Sequence, residues 1–435
     1  MRRFIPLGTA LALAAATLTV PLAGTTASAE PDATSVFAKA KPKKPKKPKV
    51  KPTPYAFRAH GYGTRVVGGQ LPAASGATAL AVIGCTNKTG INRDNNVAEV
   101  KLPGLGTISG VRTDVRTVKT ATEVASISEH KVAQIVLAES ALGRLSIEGV
   151  TSYSKASATS AGYATETETT LAKLVFRAPG GEAQVLPLPT LNKPIEVPGL
   201  LRVAIGDQLE RTGPDFARAR ANGLTITLIP TKTKIVVGRT VAFLTKGIQT
   251  GLFVGSSNAT STELLSGLVG TGRTQRITMP CQGTDGQVKH SSALDLTIPG
   301  LLDVGTARSS QMGEQRRRRA FGFEESSVAG INLGNGALVV DAIKARVNVS
   351  RVKGKPAAVD FKGSTLAGIT VDGETYSLPE LDGLEIPGVA KIETMVEERF
   401  NNGGQITALR ITLLNGMGGV INLGQAKLKI ARSGR

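Results

Sequence analysis

Five blocks of this 435-residue chain occur twice in the same order, and that duplication restricts the fold more than any other feature. Cys85 in AVIGC corresponds to Cys281 in ITMPC, and KLPGLGTI (Lys101–Ile108) to TIPGLLDV (Thr297–Val304), both at an offset of 196. LGRLSIEGV (Leu142–Val150) corresponds to NGALVVDAI (Asn335–Ile343), and EVPGL (Glu196–Leu200) to EIPGV (Glu385–Val389). LTITLI (Leu224–Ile229) matches LRITLL (Leu409–Leu414) at an offset of 185. The order holds while the offset shrinks, as small loop deletions in the second copy would produce. One fold written twice is therefore expected, over residues 55–248 and 249–435.

The repeated blocks read as β-structure. From Ala337 to Val349, Ala337, Val339, Ile343, Ala345, Val347 and Val349 share one face, against Lys344, Arg346, Asn348 and Ser350 on the other. That is period two, the spacing of a strand with one buried face. VKGKP (Val352–Pro356) and DGE (Asp372–Glu374) reverse the chain, and NNGG (Asn401–Gly404) is a hairpin signal between Lys391–Phe400 and Gln405–Leu414. Helical patterning is confined to DFARARANG (Asp215–Gly223), which could make two turns, and ELLSGL (Glu263–Leu268). The expected fold is all-β: two tandem sandwich-like modules of similar topology, with a single sandwich merged from both copies as the alternative. An aliphatic-Pro-Gly-aliphatic motif occurs four times, at Leu102, Val197, Ile298 and Ile386, twice per copy. Pro followed by Gly suits the central positions of a type II turn, so the motif marks corners rather than a binding site.

The first 29 residues have the form of a secretory signal: Arg2 and Arg3, an apolar run from Leu7 to Leu22, and Ala27-Ser28-Ala29 before a cleavage point. The run is broken by Gly8, Thr9 and Pro21, and no later stretch is apolar enough to cross a bilayer, so an exported protein without a membrane span is expected. Residues 30–54 follow as a Lys/Pro-rich linker. Pro supplies no amide donor and the lysines repel each other, which favours an extended spacer.

Of the formal charge of +20, two units leave with Arg2 and Arg3 and six lie in residues 30–54. The remaining +12 belongs to the modules, with one dense cluster at Arg316, Arg317, Arg318 and Arg319. Lys43, Lys44, Lys46 and Lys47 with those arginines are the candidate polyanion contacts, and anionic envelope polymers the candidate partners. With no Trp and few aromatic residues, base stacking and sugar platforms have little to work with, so no specific nucleic-acid partner is expected.

The second copy resembles the choice-of-anchor P family of secreted, high-GC Gram-positive proteins. The resemblance is carried by GALVVDAIKARVNVSRV, FKGSTLAGITVDGETYSLPE, LEIPGVAKIETMVEERFNNGGQITALRITLLN and GVINLGQAKLKI. The first copy is similar in a more diverged form. The resemblance implies a surface or secreted location and supplies no activity. GDQLER (Gly206–Arg211) and MVEERF (Met395–Phe400) match the family's segment after the Pro-Gly turn only loosely, and this chain has no C-terminal anchor pattern.

Candidate chemistry is sparse. His60, His130 and His290 have no metal-ligand spacing, no HExxH or GxSxG occurs, and no cofactor is expected. GYGTRVVGG (Gly61–Gly69) lacks the strand-turn-helix setting of a nucleotide loop and reads as a flexible connection between strands. Glu324-Glu325 and Glu397-Glu398 are adjacent carboxylates, which on a strand point to opposite faces and cannot flank one bond. Cys85 and Cys281, equivalent positions in the two copies, are readable either as an inter-copy disulfide or as two buried thiols. The favoured function is a secreted, non-catalytic, envelope-associated protein with a basic surface. The alternatives are a hydrolase whose site assembles only in the fold, or an extracellular polyanion- or DNA-binding protein.

Overall fold

Alternation of small apolar and polar residues runs through nearly every segment of this chain, and it builds strands. The computed structural model describes residues 51–67, 78–102, 106–140, 143–190, 193–199, 201–229, 232–263, 274–298, 302–334, 336–371, 373–376, 383–386, 390–414 and 419–432. All of these belong to one unit, residues 48–435. Among the described residues every regular element is a strand, every pairing is antiparallel, and there is no helix. The lysines at 43, 44, 46 and 47, the signal-like segment and most of ELLSGL lie outside the described residues.

The first module begins with β1 (Lys51–Val67) and β2 (Ala81–Thr89). Next come β3 (Asn92–Leu102), β4 (Gly106–Lys119), β5 (Val124–Ser140) and β6 (Gly143–Thr159), a four-strand meander. β7 (Gly162–Thr170), β8 (Lys173–Arg177) and β9 (Ala183–Val185) complete that sheet. β10 (Ile195–Val197), β11 (Leu201–Ile205), β12 (Gln208–Thr212), β13 (Phe216–Leu228) and β14 (Thr233–Thr245) return to β1. They form the second sheet in the order β10-β11-β13-β14-β1-β2, with β12 beside β13.

The second module repeats this plan. β15 (Gly251–Glu263) and β16 (Ile277–Thr278) take the places of β1 and β2. β17 (Lys289–Ile298), β18 (Leu302–Arg316), β19 (Arg319–Leu333) and β20 (Leu338–Val352) form the meander. β21 (Ala357–Asp360), β22 (Thr365–Val371) and β23 (Glu374–Tyr376) complete its sheet. β24 (Glu385–Ile386), β25 (Ala390–Phe400), β26 (Gly403–Leu413) and β27 (Val420–Arg432) then return to β15. The order β24-β25-β26-β27-β15-β16 reproduces that of the first module. Each module packs its own two sheets together, so the copies form separate sandwich-like modules.

All four Pro-Gly motifs sit at hairpins. Register runs Leu102↔Gly106, Val197↔Leu201, Ile298↔Leu302 and Ile386↔Ala390, three residues being spanned each time. Gly199, the one described glycine of the four, has φ +71°, the value the third position of a type II turn requires. NNGG forms the two-residue turn between Phe400 and Gly403.

Four readings of the sequence need correction. DFARARANG is not helical: Phe216 to Gly223 lie in β13, with Ala217, Ala219 and Ala221 fully buried and Arg218 and Arg220 on the opposite face. Gly61–Val67 is part of β1 rather than a flexible connection, and β1 starts at Lys51, inside the segment assigned to the linker. Pro52 and Pro54 are tolerated because they lie at the start of that strand, where the β1–β2 register is already irregular. In β20 the alternation holds from Ile343 onward, but before it Leu338 and Val340 face the core instead of Ala337 and Val339. The phase slips at Asp341, which the neighbouring glycines Gly330 (φ +66°) and Gly368 (φ +58°) leave out of the paired register.

Aliphatic side chains fill the end of each sandwich nearest the Pro-Gly hairpins, such as Ile108, Ile147, Leu224 and Val237 in the first module and Val304, Val340, Ile411 and Leu423 in the second. The rest of the first interior mixes buried hydroxyls with a second apolar cluster that includes Phe57, Val124, Ala156, Ala217 and Leu244. Ser126 Oγ donates to the Arg58 carbonyl (2.9 Å), Ser128 Oγ to the His60 carbonyl (3.1 Å), and Ser154 pairs with Thr240 (2.8 Å). Satisfied hydroxyls cost little to bury, and their small volume lets the sheets approach closely. Strand β14 turns from one interior to the other at Gly238 (φ +66°), and β27 does the same at Gly424 (φ +62°).

Cys85 and Cys281 form a disulfide, with Cα atoms 5.4 Å apart and a sequence separation of 196. Ala56, Ile248 and Leu252 pack round it. A closure of that length stabilises by about 4–5 kcal/mol in the chain-entropy model. We expect no free thiol after denaturation without reductant, and a lower urea midpoint after reduction. Gly238→Ala should cost about 1–3 kcal/mol in urea unfolding, because a Cβ there needs a left-handed backbone and lies 3.0 Å from His130 Cδ2.

Candidate functional site

On the outer face of the β1–β14–β13 sheet, alternation puts the charged members of A-R-A-R and F-R-A-H together. In register across that face, Arg211 neighbours Arg218, Arg218 neighbours Phe243, and Phe243 neighbours Arg58. The adjacent row runs Arg220, Val241, His60 and Val82. The serine bonds to the Arg58 and His60 carbonyls hold this part of β1 from behind, so both side chains project from a fixed backbone.

Two cavities open on this region. One, of about 300 Å³, lies against Arg58, His60, Arg218 and Phe243 and is closed by Thr278, Pro280 and Cys281 of the second module. The other, of about 360 Å³, lies against Val254, Ser256, Lys427 and Lys429 of the second module and is closed by Val82, Gly84 and Cys85 of the first. The duplication relates them: each is one module's outer sheet face covered by the other module's β2-type segment and cysteine. They meet at Arg58 and Thr278, which line both.

The lining contains no carboxylate. Arg276, Lys427 and Lys429 add charge to the larger cavity, and Arg58 and Arg218 to the smaller. Asp207, just before β12, is taken up by Arg220 and Asn222, and Glu398 lies beyond Gln405 in the register of β25. The electrostatic consequence is plain in the ionisation of these groups. Burial, then Arg58, Arg239, Arg276 and Arg218, push His60 down to about 3, so it is neutral. Burial and then Arg218 lower Arg58, and burial, Arg220, Arg211 and Arg239 lower Arg218. Such a site favours an anion.

No family model and no curated protein matches this chain. Among solved structures, a mutant of the vaccine antigen transferrin-binding protein B from Haemophilus parasuis aligns over 88% of this chain and 77% of that one, at 7% identity and a TM-score of 0.11. That likeness carries no argument.

The residues singled out in the sequence are dispersed. Arg316–Arg319 form the exposed tip of the β18–β19 hairpin, with Arg316 bonded to Glu314 and the Arg316 and Arg319 guanidiniums 5.3 and 5.0 Å from the Phe321 ring. Charge and ring are thus interleaved there, contrary to the sequence expectation. Glu324 points into the core and accepts from Ser257 Oγ (2.9 Å), while Glu325 points outward to Arg346 (2.9 Å). Glu397 and Glu398 are both exposed. His130 is buried, its Nδ1 2.8 Å from Thr113 Oγ1, and His290 is exposed on β17. Among the described residues no group of three or more His, Cys, Asp or Glu could hold a metal, and no helix could cross a membrane. The junction cations were missed because Arg58, Arg218, Arg276, Lys427 and Lys429 are far apart in sequence; the A-R-A-R alternation was the available signal.

Three buried groups set the acid response. Burial brings His130 down to about 4, so with His60 it resists protonation while the unfolded chain, at about 6.5, does not. The histidine contribution is full above pH 6.5 and declines as pH falls towards 4. Glu324 has the opposite sign: burial raises its carboxyl well above 4.5, so its cost is relieved as pH falls. We expect the urea midpoint to drop from pH 7 to 4. Glu324→Gln should be more stable than wild type at pH 7, and its stability should fall more steeply than that of wild type as pH falls towards 4.5.

Proposed function

We propose that this protein is a secreted, non-catalytic component that associates with anionic polymers of the cell envelope through its basic surface. The observation that carries the reading is the arginine face of β1 and β13, where Arg58 and Arg218 share a cavity with no carboxylate in its lining. A structural role for these cations would pair them with acids, as Arg346 is paired with Glu325. Left as they are, they repel one another and bring neutral His60 with them, a cost that an anionic ligand offsets. The Arg316–Arg319 hairpin and the Lys43–Lys47 segment extend the same charge as subsidiary contacts. The signal-like N-terminus and the choice-of-anchor P resemblance agree with a location outside the cell.

Charge attraction of this kind is screened by salt, the Debye length falling from about 10 Å at 0.1 M to about 3 Å at 1 M. Purified protein should be retained on isolated envelope polymer at about 50 mM NaCl and released by about 1 M. Retention that does not change across that range would remove the electrostatic reading.

A further inference from the structure

The reading above leaves open what kind of anion the junction takes, and the paired cavities answer a narrower question. We propose that they form one composite site for a linear polyol phosphate, with neighbouring phosphodiester groups held one in each cavity. This rests on the polyanion reading and gives it a place and a ligand class.

Cation geometry is the first argument. Arg58 and Arg218 supply planar guanidiniums to the smaller cavity, the side chain best suited to phosphate oxygens. Lys427 and Lys429 supply ammonium groups to the larger one, and Ser256 and Thr278 place hydroxyls on its wall. Arg58 and Thr278 line both, so two anionic groups bound there belong to one continuous path. His60, being neutral, can donate one N–H without needing a proton from solvent.

A second argument concerns how the charge arose. The modules are copies, yet the cations sit at positions that do not correspond. By strand equivalence, Arg58 stands where the second module has Val254, and Arg218 where it has Gly403. Lys427 and Lys429 stand where the first module has Val241 and Phe243. Positive charge has therefore been placed on this junction twice by different residues, which simple inheritance from a basic ancestor module would not give.

The walls decide between ligand classes. Val82, Gly84, Val254 and Pro280 are small and apolar and offer nothing to read a base edge. Asn258 Nδ2 donates to Gln425 Oε1 (3.0 Å), so those amides already serve each other. The Phe400 ring is covered by the Lys427 ammonium at 5.1 Å, which leaves it poorly placed to stack a base. Carboxylated sugar chains would want a run of flat aromatic platforms, and Phe243, set in register between Arg58 and Arg218, is the one Phe, Tyr or Trp ring lining the smaller cavity. A flexible chain of small polyol units joined by phosphates fits what remains.

Titration calorimetry of the oxidised protein with a synthetic glycerol-phosphate oligomer tests this, alongside inorganic phosphate, oligothymidylate and a polyglucuronate. The variants are Arg58→Gln/Arg218→Gln, Lys427→Gln/Lys429→Gln, and Arg317→Gln/Arg318→Gln at the exposed hairpin, each checked for an unchanged urea midpoint. Either cavity variant should weaken oligomer binding roughly tenfold or more, while the hairpin variant changes it less than twofold. Inorganic phosphate, which can occupy one cavity only, should bind far more weakly than the oligomer. If the hairpin variant loses binding and both cavity variants keep it, the junction site is wrong while the polyanion reading stands. Tighter binding of oligothymidylate or polyglucuronate overturns the ligand class. If no polymer binds even at low salt, the polyanion reading fails with it.

Discussion

The bond between Cys85 and Cys281 holds the outer sheet faces of two self-sufficient sandwiches next to each other, and the junction depends on it. Each module has its own aliphatic interior, so neither needs the other to bury its core. The apolar material between them is slight: Ala56, Ile248, Leu252 and the cysteines themselves. Against it stands the mutual repulsion of Arg58, Arg218, Lys427 and Lys429, gathered round the same place. A non-covalent interface so small and so cationic would be weak. A disulfide stabilises it without requiring acids to neutralise the cavity, which leaves the charge available.

Much of the architecture could be read in the sequence because duplication supplied an internal comparison. The Pro-Gly motifs fell at hairpins since Pro fixes φ and Gly tolerates the positive φ that follows, local requirements that hold in any context. The NNGG turn followed for the same reason. Other features turned on tertiary context. Phe216–Gly223 has few residues, and Ala and Arg are good helix formers, so propensity pointed one way and alternation the other. Burial of Ala217, Ala219 and Ala221 decided for a strand. The phase of β20 before Ile343 could not be seen because the slip is caused by Gly330 and Gly368 on neighbouring strands, not by β20 itself. The cation cluster was hidden for a similar reason, its members being supplied by four strands or turns of two modules.

The two interiors show where duplication has been followed by divergence. Ser128 in the first module and Glu324 in the second occupy equivalent positions, both facing the opposite sheet. Ser128 donates to the His60 carbonyl, whereas Glu324, too large for that, takes a hydroxyl from Ser257 and leaves Oε1 without a partner. Burial raises that carboxyl well above the usual range, a cost at neutral pH that the Ser257 hydroxyl and the Arg276 charge offset only in part. Gly255 lies over it, where a Cβ would come within 2.9 Å of Oε1. The acid is thus sealed beneath the lysine-lined cavity rather than exposed to it.

What the first module gains from its hydroxyl-rich interior is rigidity behind the arginine face. Gly61 and Gly63 let β1 approach β4 and β5 closely, since a Cβ at either would fall within 3 Å of Val111, Thr113 or Ser128. At that spacing Ser126 and Ser128 reach carbonyls on the far sheet, and the residues owning those carbonyls are Arg58 and His60. Anion-binding sites made from loops lose affinity to the ordering they require on binding. Here the backbone is ordered in advance by paired strands on both sides and hydroxyls beneath, so only the ends of the arginine and lysine side chains remain to be fixed. The same bonds explain the alternation along Arg58–Gly61: the inward Ala59 and Gly61 must be small enough for the sheets to meet, and the outward Arg58 and His60 are then free to face the junction.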